Sequence, residues 1–60
     1  MGEYLVEVRA ATGHRLLVWV KAVGEREAML AARVEAHSRW TTFDVDGTRP
    51  SEARVLEERS

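Results

Sequence analysis

Cysteine is absent from this 60-residue chain, so it has no disulfide framework, no thiolate nucleophile and no thiolate metal site. It also lacks an excess of charge of either sign. Nine basic residues stand against ten acidic ones, with a single lysine, Lys21, which is unlike a dedicated nucleic-acid binder. Long apolar runs are missing too. The longest is residues 16–20, far short of the roughly 20 residues that span a bilayer. Met-Gly-Glu-Tyr leads at once into strand-like alternation, so the expectation is a chain with no signal peptide that resides in the cytoplasm, with no membrane partner. No glycine-rich phosphate loop is present, nor any Ser-His-Asp or Cys-His set with a scaffold to carry it. A chain this short buries only about 60% of the surface its unfolded form exposes, so help from self-association is expected.

What is present is a sharp change of hydrophobic period at Gly24. Residues 3–10 alternate, with Tyr4, Val6, Val8 and Ala10 on one side, Glu3, Glu7 and Arg9 on the other, and Leu5 the apolar exception on the polar side. Residues 15–23 place Leu16, Val18, Val20 and Ala22 on one face and Arg15, Leu17, Trp19 and Lys21 on the other. Between them Ala11-Thr12-Gly13 reads as a three-residue hairpin loop, with Gly13 at a positive-φ position. An odd loop pairs Val6 with Val18 and Val8 with Leu16, which keeps one face apolar. An even loop scrambles both faces.

Gly24 is placed to cap a helix, with Glu25 and Glu27 at its positive end and Arg33, His37 and Arg39 toward its negative end. Ala28, Met29, Ala32 and Ala36 form a stripe of mostly small side chains suited to close packing on the sheet. Leu30 and Val34 form a second stripe that does not fit beneath the same sheet. Glu35 and Arg39 have the spacing of an i,i+4 pair. Residues 40–46 then read as a third strand, with Phe43 and Val45 inward, ended by the Asp46-Gly47 turn and Pro50. This gives a small α+β domain over residues 1–50: an antiparallel sheet in β-β-α-β order with one helix packed on one face. Residues 51–60 read as a tail, either a short helix or an edge strand, with Val55 and Leu56 as its apolar anchors.

Two resemblances bear on function. Residues 43–48, Phe-Asp-Val-Asp-Gly-Thr, resemble the D-x-D-G-T signature of the haloacid dehalogenase phosphohydrolases, which implies a nucleophilic Asp44, an acid Asp46 and magnesium. That chemistry needs further groups on later strands, yet only twelve residues follow Thr48 and Lys21 lies upstream. The segment is read as a strand ending in an Asp-Gly turn. A calcium loop counted from Asp44 lacks its glutamate at the twelfth position. Residues 20–40, VKAVGEREAMLAARVEAHSRW, resemble the V-x-A-x-x-x-x-E-A strand-to-helix junction of small ββαβ domains such as the archaeal ribosomal protein LX. RNA binding is what that likeness implies, though this chain carries one lysine where a ribosomal protein has a lysine-rich surface. Small accessory proteins of bacteriophages and their hosts are similar in being one short domain without cysteine or a catalytic set.

No metal, cofactor or small-molecule substrate is expected from His14, His37 or the carboxylates, and no catalysis. The expectation is a protein-binding module that pairs with a second copy or another protein. Leu5, Leu17 and Trp19 are its sheet-side anchors, joined by Trp40 from the third strand, and Leu30 and Val34 its helix-side ones. Cover of the sheet-side group by Val55 and Leu56 of the tail is the intramolecular alternative. A nucleic-acid-binding reading rests on Arg26, Arg33, His37 and Arg39, the first three of which share a helix face with Leu30.

Overall fold

The computed structural model describes residues 1–42 and 50–59. Strand β1 (Gly2–Ala10) and strand β2 (Arg15–Ala22) form the expected hairpin, followed by helix α1 (Glu25–Thr42) and strand β3 (Pro50–Arg59). The three strands make one antiparallel sheet in the order β2-β1-β3, with β1 in the middle. The architecture is that of a small α+β domain with one helix packed across all three strands.

The hairpin follows the odd-loop register, with Val6 opposite Val18 and Val8 opposite Leu16. Its loop closes through the Ala10 N–H donating to the His14 carbonyl at 2.9 Å and the Gly13 N–H donating to the Ala10 carbonyl at 3.0 Å. Gly13 has φ of 96°, the left-handed conformation that only glycine adopts without strain. At the other end of β2, the Gly24 carbonyl accepts the first helical hydrogen bond, from the Ala28 N–H at 3.0 Å. Gly24 is thus the N-cap, and the chain turns from strand to helix within two residues.

The helix buries Ala28, Ala32, Ala36 and Trp40, a single i,i+4 row. Three alanines let the helix backbone approach the sheet closely. Beneath them lie Tyr4, Val6, Val8, Ala10 and Ala22, with Leu16, Val18, Val20, Met29, Ala53 and Val55 packed around the rim. Lengths match as well as faces. An 18-residue helix runs about 27 Å, and eight strand residues run about 26 Å. The helix therefore returns to the hairpin loop, where the Trp40 ring meets the His14 ring edge-on, with centroids 6.3 Å apart.

This corrects the placement of the third strand. Residues 40–42 belong to the helix, and Trp40 is a core residue instead of an outward-facing one. The aromatic and β-branched run beginning at Trp40 has strand propensity, but the alanine row reaches its next position at residue 40 and tertiary burial overrides propensity. The proposed inward positions of Phe43 and Val45, and the Asp-Gly turn, lie outside the described residues. The strand that completes the sheet is β3, formed by the segment read as a tail with a helical or an edge-strand fate. Two register shifts interrupt its pairing with β1, opposite Leu5/Val6 and opposite Arg9/Ala10, where Leu56 and Ser51 are skipped.

Candidate functional site

Strand alternation sends every second residue to the face opposite α1. The observed registers arrange these residues in four cross-strand rows from β2 through β1 to β3: Arg15, Arg9 and Glu52; Leu17, Glu7 and Arg54; Trp19, Leu5 and Glu57; Lys21, Glu3 and Arg59. Two kinds of chemistry share this face.

The first is apolar. Trp19 lies directly opposite Leu5, and Leu17 stands two residues before Trp19 on the same strand, so the three anchors named from the sequence form one contiguous triangle. Leu17 is 53% and Trp19 37% exposed. The backbone of the segment read as a tail lies beside β1 as a strand. Val55 pairs with Val6 on the inner face, so Val55 does not cover the triangle, while Leu56 is skipped at the register shift beside Leu5. One group does reach over the triangle: the Arg59 guanidinium carbon sits 4.0 Å from the Trp19 ring centroid.

The second is ionic. Glu7 is 5% exposed although it belongs to the uncovered face. Three guanidinium groups surround it. Arg54 Nε lies 3.2 Å and Arg9 Nε 3.3 Å from Oε1, and Arg15 Nη1 lies 3.4 Å from Oε2. The arginine stems roof the carboxylate while their heads remain half in water. Beside this cluster, at the β3 edge, an open groove of about 270 Å³ is lined by Glu7, Arg9, Arg33, Glu52, Ala53 and Arg54. Among the described residues its lining contains no hydroxyl, thiol or imidazole group.

The helix side presents a second surface, which Arg33 joins to that groove. Leu30 and Val34, 54% and 70% exposed, lie adjacent at i,i+4 and turn away from the sheet. Arg26, Arg33 and His37 are exposed in a row beside them. Arg39 stands outside that row, in the expected i,i+4 ion pair with Glu35 at 2.7 Å. Trp40, offered as a fourth sheet-side anchor, joins neither surface. The Glu7 cluster and the Arg59 contact went unforeseen. The pairing of Arg9 with Arg15 follows from the hairpin register, but Arg54 and Arg59 enter only once residues 50–59 are known to flank β1.

On the inner face Tyr4 stands opposite Glu58 and hydrogen-bonds it. Burial holds the Tyr4 hydroxyl above its ordinary pKa of 10.0, reinforced by the Glu58 charge and hydrogen bond and, more weakly, by Glu25 and Glu27. Among the described residues no group of three or more His, Cys, Asp or Glu side chains is placed to hold a metal ion. No helix among them is long and apolar enough to cross a membrane. Comparison with protein-family models, with curated proteins and with solved structures gave no match.

Proposed function

We propose that the chain is a non-catalytic protein-binding module that works through the outer sheet face, with Trp19, Leu17 and Leu5 as anchors. The observation that carries this is the contiguous apolar triangle on the face left uncovered by the only helix of the described residues, bounded by charged rows on either side. A tryptophan ring flanked by leucines and rimmed by guanidinium and carboxylate groups has the composition of an interface hot spot. Self-association is the simplest use of such a face in a 60-residue domain, because a second copy hides apolar area that the chain cannot bury alone.

Sedimentation equilibrium of the wild type and Trp19→Ala, over a concentration series at low and high salt, tests the reading. The expected result is a mass that rises with concentration, is indifferent to salt, and falls to the 6.8 kDa chain mass in Trp19→Ala. Association that survives Trp19→Ala, or that dissolves as salt is raised, overturns it. Nucleic-acid binding through Arg26, Arg33, His37 and Arg39 has less support, since Glu35 occupies Arg39 and the net charge of the chain is −1.

A further inference from the structure

The two edges of the sheet are not equivalent. β3 begins at Pro50, is broken by two register shifts, and carries charge at Glu52, Arg54, Glu57, Glu58 and Arg59. Prolines, bulges and charges are the devices that keep an edge from recruiting another strand. β2 has none in its middle. Its eight residues pair with β1 without a shift, and residues 16–20, between Arg15 and Lys21, are all apolar. Among the described residues no strand pairs with that edge. Because Ala10 donates to His14 and bonded pairs alternate along an antiparallel ladder, residues 16, 18 and 20 bond to β1. Arg15, Leu17, Trp19 and Lys21 therefore turn their N–H and C=O groups outward, and these are the outer-face residues that include two of the three apolar anchors.

We propose that a second copy of this chain pairs antiparallel along β2, with Trp19 opposite the partner's Trp19, joining two three-stranded sheets into one of six strands. The inference rests on the outer-face reading above and names its occupant. Self-pairing that keeps like faces together must be centred on a residue, which for the middle of β2 means Leu17, Val18 or Trp19. Centring on Val18 sets Arg15 against the partner's Lys21 twice over. Centring on Leu17 engages only residues 15–19. Centring on Trp19 engages residues 16–22 with no like-charge pair. It also sets Leu17 along the stem of the partner's Lys21, and Val18 against the partner's Val20 on the inner face, where both valines are packed against the core but keep some exposure in the single chain.

Charge at position 17 distinguishes these arrangements. The experiment is sedimentation equilibrium of the wild type, Leu17→Glu, Leu17→Lys and Leu17→Gln at low and high salt, with thermal melting by circular dichroism. The wild type is expected to reach twice the 6.8 kDa chain mass. At low salt Leu17→Glu should dimerise about tenfold more tightly than Leu17→Lys, with Leu17→Gln between them, because the partner's Lys21 attracts one and repels the other. High salt should compress the difference. Within a single chain position 17 lies opposite Glu7 and beside the Arg9, Arg15 and Arg54 cluster, so melting is read for each variant separately. Association is compared at a temperature where melting shows every variant folded, so a folding defect cannot imitate the expected result.

A wild type that stays monomeric throughout overturns the pairing. So does tighter association of Leu17→Lys, as expected if Leu17 faced the partner's Trp19, or equal weakening by both charges, as expected if it faced the partner's Leu17. Equal weakening together with loss of association in Trp19→Ala removes the edge pairing and leaves the outer-face reading standing. Association unchanged in every variant removes both.

Discussion

The guanidinium of Arg59 lies over the ring of Trp19 at 4.0 Å, although the two residues occupy opposite edge strands of the sheet. Arg59 crosses β1 to make this contact and keeps a 3.8 Å ion pair with Glu3 on the way. It ties the last residues of β3 to the hairpin and roofs part of the apolar triangle. Arg59→Ala should therefore cost about 0.5–1 kcal/mol in urea unfolding, the usual worth of a cation over an exposed indole. It should also strengthen any self-association that uses Trp19. Both follow from one denaturation series and one sedimentation series.

Glu7 is the only charged side chain among the described residues classed as buried, and its three arginines depend on it more than it depends on any one of them. Glu7→Gln keeps the shape and removes the charge, leaving three crowded guanidinium groups without a counter-ion. A loss of about 1–3 kcal/mol is expected. Truncating Arg54 alone should cost less, about 0.2–1 kcal/mol, because two partners remain and the arginine head is half in water. Equal losses for the two substitutions would contradict this account.

Ala32 is fully buried where α1 crosses the sheet, so a larger side chain must push the helix away. Ala32→Leu should destabilise by about 1–3 kcal/mol, whereas Val34→Leu, on the exposed face, should stay within about 0.5 kcal/mol. The midpoint of urea unfolding reports both.

A Cβ at Gly13 would meet nothing within 4 Å, so the cost of a side chain there is purely that of the backbone. Gly13→Ala should lose about 1–2 kcal/mol. Gly13→Asn should lose less, because asparagine tolerates the left-handed region. An alanine variant as stable as the wild type would mean the hairpin loop is built differently.

Tyr4 is the sole tyrosine, so its ionisation can be followed by ultraviolet absorbance without overlap from another phenol. Its folded pKa is raised, chiefly by burial and then by Glu58. A raised folded pKa means the contribution to stability is fully present below the unfolded value of about 10 and is lost as pH rises through the folded value. Tyr4→Phe should flatten the stability profile above pH ~10. Glu58→Gln should lower the absorbance midpoint yet leave it above the ordinary value, because burial is the larger cause.

The hairpin register, the Gly13 loop, the Gly24 cap and the alanine stripe were legible in the chain itself. Each is set by neighbours within a few residues, through strand alternation, helical spacing and turn chemistry. The grouping of Leu5, Leu17 and Trp19 followed for the same reason, since a local hairpin determines which of its side chains share a face. Whether residue 40 continued a helix or opened a strand was not a local matter. Its own propensity pointed to strand, and the place beside His14 at the end of the alanine row decided for helix.

Tertiary structure alone decided the identity of the third strand. Residues 50–59 carry five charges and an interrupted alternation, and they become a strand because β1 offers them an open edge. From that pairing come the Arg54 contact with Glu7, the Arg59 contact with Trp19, and the Glu58 contact with Tyr4. Sequence determined the two faces of the hairpin through its own short-range period. The long-range pairing, which depends on backbone groups more than side chains, determined what lies on those faces and which of the described strands stand at the edges.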